Sequence, residues 1–284
     1  MECAQHTLCP GPSKVALGVL SFFAVVLSQG LPNSRQGYAL QIELAGSSGS
    51  GFLTQDRARL YLVTARHVLF KDSLAQQLVA EKATVSGRED ERPFALTVDV
   101  GGLWRGGLVR ADMAHDVAVV YLARKPDSSS YILDSRYVKA NDKIDFTISA
   151  IWWTSLRKYD SVQVGADVYV FGYPTSIGLK RSPQIDYNRP LIQKGIVAGL
   201  NPNRRTIVLN VASNFGNSGG PAVELELSSG GPKFVPIGIV TEYIPFEEVL
   251  LNVTRKWSYS TITSSPYSIA EPLDPVIDII KSWK

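Results

Sequence analysis

Phe215-Gly216-Asn217-Ser218-Gly219-Gly220-Pro221 is the stretch on which the reading of this chain turns. One hydroxyl sits among glycines, directly after the strand-like run Thr206-Ile207-Val208-Leu209-Asn210-Val211. Glycine lets the backbone adopt conformations that other residues resist and lets another chain come close. By itself such a segment is an ordinary turn. Its meaning changes beside two other stretches, Thr64-Ala65-Arg66-His67-Val68 and His115-Asp116-Val117-Ala118-Val119-Val120. Together they supply a nucleophile, a base and a carboxylate. A serine hydroxyl needs a base within hydrogen-bond reach. Imidazole, with a reference pKa of about 6.5, suits that task near neutral pH. A carboxylate that accepts the second ring proton fixes the tautomer. Beyond residue 30 the only histidines are His67 and His115. His67 follows a strand end that would hold it rigidly, whereas His115 reads as a flanking residue of the strand that Asp116 opens.

Composition narrows the class. The chain has 284 residues, 45% of them hydrophobic and 19% charged, with a formal charge of +3. That is ordinary for a globular protein with a sizeable core, and the charge is too small and scattered to argue for nucleic acid. Lys14 precedes the apolar run Val15 to Leu27, the right length for a signal-peptide core and short for a membrane span. The expectation is a signal peptide over residues 1–30, cleaved after Gly30, with an uncleaved anchor as the alternative. Membrane contact is expected only through such an anchor. Both cysteines, Cys3 and Cys9, precede the run, so the remaining chain has no disulfide, which fits a bacterial exported protein, periplasmic or secreted.

Short runs rich in Val, Ile, Thr and Tyr, punctuated by 23 Gly and 16 Pro, predict an all-β fold. Strands are expected at residues 38–44, 52–54, 60–64, 94–100, 103–110 and 117–122, then at 168–171, 191–200, 206–211, 223–227 and 234–241. A short helix is expected within 68–80, a solvated loop over 81–93, and a turn at Asn201-Pro202-Asn203. Asp274-Pro275 before Val276-Ile277-Asp278-Ile279-Ile280 predicts a C-terminal amphipathic helix capped by Asp274. No metal-ligand cluster or phosphate loop is visible, so no metal and no cofactor is expected. Trp152-Trp153 reads as core, inter-barrel or partner contact, and Asn252-Val253-Thr254 as a weak glycosylation match.

The motifs Thr-Ala-Arg-His67, Asp116-Val-Ala-Val-Val and Gly-Asn-Ser218-Gly-Gly-Pro resemble those of the trypsin-like (chymotrypsin-fold) serine peptidases, and share their His, Asp, Ser order. Gly49-Ser50-Gly51-Phe52-Leu53 and Phe171-Gly172-Tyr173-Pro174 are similar to the disulfide-free bacterial branch of the HtrA/Deg group. The resemblance spans roughly residues 37–284. It implies two six-stranded antiparallel β-barrels, over residues 31–160 and 161–284, with the site between them. It further implies a serine endopeptidase acting on polypeptide through an acyl-enzyme. Ser218 would be the nucleophile, His67 the base and Asp116 the orienting carboxylate, with the N–H groups of Gly216 and Ser218 as oxyanion donors. Ala212, Phe215, Thr241, Glu242 and Tyr243 fall where the family contacts substrate, Thr241 forming a hydrogen bond near Asp116. Ala212 stands where trypsins carry the acid that reads Lys or Arg, so trypsin-like specificity is not expected. With 66 residues after Ser218 (284 − 218), no added regulatory domain is expected there. A catalytically silent binding module, or an esterase or acyltransferase using the same three residues, are the rival readings.

Overall fold

The structure, a computed structural model, describes residues 38–89, 92–126, 130–141, 150–175, 182–228 and 231–283. The expected signal peptide lies outside these residues. Strands β1 (Leu40–Leu44), β2 (Ser47–Gln55) and β3 (Arg59–Thr64) form an antiparallel meander. Its first turn passes through Gly46 at φ +83°, a conformation that glycine adopts without strain. A one-turn helix, α1 (Arg66–Leu69), follows at once. The helix expected within 68–80 therefore starts earlier and ends after a single turn, since Asp72 bends the chain by accepting the N–H groups of Leu74, Gln76 and Gln77.

The charged segment 81–93, expected as a loop, is instead mostly strand: β4 (Lys82–Glu89) and the start of β5 (Arg92–Asp99). Its charges mask a period of two. Ala83, Val85 and Gly87 point inward while Thr84, Ser86 and Arg88 are less buried, the alternation of a half-buried strand. Residues 103–110, expected as one strand, divide into α2 (Val100–Arg105) and β6 (Val109–Asp112). The Asp99 side chain starts α2 by accepting the Gly102 N–H. Then come β7 (Val117–Arg124), β8 (Ile132–Leu133), β9 (Val138–Ala140) and β10 (Ile151–Trp152). The ten strands form one curled sheet in the order β6-β7-β3-β2-β1-β4-β5-β9, with β8 on β7 and β10 parallel to β2. It holds more strands than the six expected.

The second half closes into a six-stranded barrel: β11 (Asp167–Gly172), β12 (Leu191–Asn201), β13 (Thr206–Asn210), β16 (Trp257–Pro272), β15 (Gly231–Asn252) and β14 (Pro221–Ser228), in that spatial order. The β12–β13 turn is the expected one, held by Asn201 Oδ1, which accepts from the N–H groups of Asn203 and Arg204. One short strand, 234–241, was expected where β15 runs to Asn252, and none where β16 lies; both strands run far past the barrel. From Pro245 to Ser264 they pair only with each other, and Val249, Leu251 and Ile262 stand exposed.

The C-terminal helix, α3 (Asp274–Ser282), packs on the first sheet. Val276, Ile277 and Ile280 bury against Tyr61 and Val63 of β3 and Val117 and Val119 of β7. The opposite faces of the same strands, Leu60, Leu62, Ala118, Val120 and Leu122, enter the core of the first sheet. Strands β3 and β7 are thus covered on both sides, which explains their continuous apolar sequences. Asp274 does not cap this helix. Leu273 is the N-cap residue, and Asp274 Oδ2 accepts the Tyr159 N–H at 2.8 Å while Oδ1 takes Arg205 at 3.4 Å. The carboxylate ties the helix to the chain entering the barrel, a stronger demand than a local cap.

Ile277→Ala, which empties the seam between α3 and the β3–β7 pair, is expected to cost about 2–5 kcal/mol. Urea unfolding checks this, and an unchanged midpoint would show that α3 is not a support of these strands.

Candidate active site

Strand β3 ends at Thr64 and delivers His67 on α1; β7 begins just after Asp116. The two strands are paired, Thr64 opposite Ala118, so the ladder itself brings the imidazole and the carboxylate together. His67 Nδ1 lies 2.5 Å from Asp116 Oδ2, and the His67 backbone N–H donates to Asp116 Oδ1 at 3.0 Å. Both carboxylate oxygens are therefore committed to one residue. Arg66 adds a third hold. Its guanidinium donates to the carbonyls of Asp112 and His115, at 2.9 and 3.1 Å, and its Nε lies 3.9 Å from Asp116 Oδ1. Burial opposes ionisation of Asp116. The His67 ring, the His67 N–H and the Arg66 charge outweigh it and hold the carboxyl below the ordinary aspartate range. His115 stays a flanking residue, with Nδ1 3.0 Å from Asp112 Oδ1.

Beneath this pair lies Glu271 of β16. Burial raises its carboxyl above the ordinary range, with the neighbouring Asp116 charge acting in the same direction, and its Oε2 has no hydrogen-bond partner among the described residues.

The loop carrying Ser218 is accounted for bond by bond. The Phe215 carbonyl accepts from Thr175 N–H at 2.8 Å and Thr175 Oγ1 at 3.2 Å. The Gly216 carbonyl accepts from Ser50 Oγ at 2.6 Å, and the Ser218 carbonyl from the Ser50 N–H at 2.7 Å. Asn217 closes the turn, donating to the Asn214 carbonyl and accepting from Gly220 N–H. Gly219 N–H donates to the Val240 carbonyl. With all four carbonyls from Phe215 to Ser218 occupied, the N–H groups of Gly216 and Ser218 donate to no protein acceptor among the described residues. Peptide planarity fixes the Gly216 N–H opposite the Phe215 carbonyl, away from Thr175. Two neighbouring free amides are a receptor for an anionic oxygen.

Glycine is required here. Gly216 and Gly219 sit at φ +93° and +90°. A Cβ on Gly219 would come within 2.0 Å of the Ser50 carbonyl and 2.3 Å of Thr64 Oγ1. Ser50, on β2 of the first sheet and fully buried, is the residue that joins the two halves. Its Oγ also receives the Tyr173 N–H at 3.0 Å, and its carbonyl receives Thr64 Oγ1 at 2.7 Å.

Ser218 Oγ donates to the Thr241 carbonyl at 3.4 Å, and no hydrogen bond joins it to His67 among the described residues. Thr241 thus meets Ser218 through its carbonyl, and its side chain makes no hydrogen bond to Asp116. The rings of Phe215 and Tyr243 meet edge to face at 5.6 Å, with Phe215 72% exposed. Ala212 and Glu242 are exposed. Ser50, Thr175 and Arg66 had no assigned role in the sequence; Ser50 was visible only as part of Gly-Ser-Gly. Among the described residues no group of three His, Cys, Asp or Glu side chains is placed to hold a metal ion.

Residues 49–227 match the model of the trypsin-like peptidase domain. The chain belongs to that family. It has the all-β fold of that family. A comparison with curated proteins gives no match. Among solved structures, a Glu endopeptidase in complex with MPD is 14% identical, with 89% of this chain and 94% of that one covered at TM-score 0.50. The HtrA-type protease AlgW with a tripeptide is 17% identical, covering 88% of this chain and 63% of that one at TM-score 0.47. The thermostable serine protease AL20 is 14% identical, with 84% and 92% covered at TM-score 0.47. The chain spans somewhat over 60% of the length of the AlgW chains it matches.

Ser50→Ala removes the hydroxyl from the Gly216 carbonyl and leaves the backbone bond to Ser218. Peptide turnover is expected to fall roughly tenfold or more in kcat, short of the 10²–10³ that follows outright loss of an oxyanion donor. Steady-state kinetics check this; a wild-type kcat would show that the loop holds its own shape.

Proposed function

We propose that Ser218 cleaves polypeptide by acyl transfer, its Oγ attacking the scissile carbonyl carbon. His67 takes the Oγ proton and returns it to the departing amine. Water, deprotonated by His67, then releases the acyl group. Asp116 stays ionised through the neutral range, holds His67 Nδ1–H and faces the imidazolium that forms. The oxygen that becomes negative is received by the N–H groups of Gly216 and Ser218. The observation that carries this reading is the conjunction of the doubly held Asp116 with two acceptor-free amides beside a serine. The Oγ–Thr241 bond is long, and catalytic hydrogen bonds often tighten only when substrate binds.

Substrate backbone would pair with the segment Thr241-Glu242-Tyr243. Phe215 and Tyr243 would form an aromatic lip, and Ala212 leaves no acid to read a basic side chain, which favours a residue other than Lys or Arg before the cut. The apolar run at residues 15–27 supports an exported enzyme.

An organophosphonate probe is expected to label the protein at Ser218 and to leave Ser218→Ala unlabelled, with casein cleaved only by the former. No labelling and no turnover of the native chain would overturn the reading. Asp116→Asn is expected to lower kcat by roughly 10⁴, since the tautomer is then wrong. Because the Asp116 pKa is depressed by folding, its stabilisation is present above the ordinary carboxylate value of about 3.9 and is lost as pH falls further. The difference in urea midpoint between native chain and Asp116→Asn should therefore be constant at neutral pH and shrink in acid; a difference that persists unchanged below that range would contradict it.

A further inference from the structure

A cavity of about 960 Å³ opens on the first sheet between the β2–β3 turn, the segment after β10 and the last turn of α3, and shares no residue with the site around Ser218. Its walls carry three indoles, Trp152, Trp153 and Trp283, and three cations, Arg57, Arg59 and Lys281. The one carboxylate among them, Asp56, is already used: Oδ1 accepts the Ala58 N–H at 2.7 Å and Oδ2 the Tyr61 hydroxyl at 2.8 Å. The three cations form no ion pair among the described residues. Lys281 lies over the Trp153 ring at 5.7 Å, and the Trp283 ring is fixed between Tyr61, stacked at 5.3 Å, and the Arg110 guanidinium at 4.8 Å.

The site therefore offers a surplus of positive charge and flat apolar walls. Trp152 is 46% exposed, so those walls are open to an incoming molecule. The size lies within the range of small-ligand pockets. An inorganic anion would leave the indoles wet, and a neutral apolar molecule would leave the cations unpaired.

We propose that this cavity is a second binding site, for a carboxylate carried on an aromatic or large aliphatic body. The carboxylate sits among Arg57, Arg59 and Lys281, and its body lies on Trp152 and Trp153. The site does not depend on the chemistry of Ser218.

The test is titration of the full chain with N-acetyl-phenylalanine and with its amide, read by tryptophan fluorescence and calorimetry. Saturable binding of the acid is expected, at least tenfold tighter than the amide. Arg57→Ala and Lys281→Ala, both at exposed positions, are each expected to weaken it about tenfold, and Trp152→Ala severalfold. Ser218→Ala should bind as the native chain does, whether or not that chain cleaves casein. Equal affinity for acid and amide, no binding at millimolar acid, or binding lost in Ser218→Ala but kept in the cation variants would each overturn the proposal.

Discussion

The constraint on which the site depends is that every carbonyl of the loop from Phe215 to Ser218 must find a donor, and that two of those donors belong to a residue of the other sheet. Ser50 supplies both, one from its side chain and one from its backbone. A free turn of glycines would sample many conformations, and its amides would point at random. With the carbonyls engaged, peptide planarity leaves the Gly216 and Ser218 N–H groups in one arrangement. The glycines allow the close approach and Ser50 removes the freedom they bring.

The other half of the site rests on a ladder rather than a loop. Pairing of β3 with β7 sets His67 beside Asp116, and burial of both strands on two faces keeps that pairing rigid. The C-terminal helix forms one of the covers. The C-terminal helix, remote in sequence from His67 and Asp116, thus supports the strands that deliver them. The rigid His67–Asp116 pair contrasts with Ser218 Oγ, which rests on the Thr241 carbonyl.

His67, Asp116 and Ser218 could be picked out as candidates because each sits in a short motif whose chemistry limits the alternatives: few histidines, one acid at the head of an apolar strand, one serine in glycine. Barrel strands with clear alternation, and the Asn201 turn, were legible for similar reasons. What the sequence hid was hidden by competing signals. The charges of residues 81–93 concealed a strand whose inward residues are small, Ala83 and Gly87 among them. Asp274-Pro275 looked like a cap, and the tertiary bond to the Tyr159 N–H overrode that local preference. The outer part of the β15–β16 hairpin gave no turn signal that distinguished it from loop. Ser50 illustrates the general limit: its partners in the Ser218 loop lie more than 160 residues away, and no local pattern records them.

The central claim is that an anionic oxygen on Ser218-bound carbon is received by a loop preset from the other sheet. The direct measurement is a crystal structure of the chain with a peptidyl boronate. The account predicts a tetrahedral boron on Ser218 Oγ, one boronate oxygen accepting from both Gly216 and Ser218 N–H, and His67 Nε2 turned to the adduct, with the Ser50 bonds to Gly216 and Ser218 unchanged. A boronate oxygen pointing to solvent, or a Gly216 peptide turned over with its carbonyl released from Ser50, would contradict it.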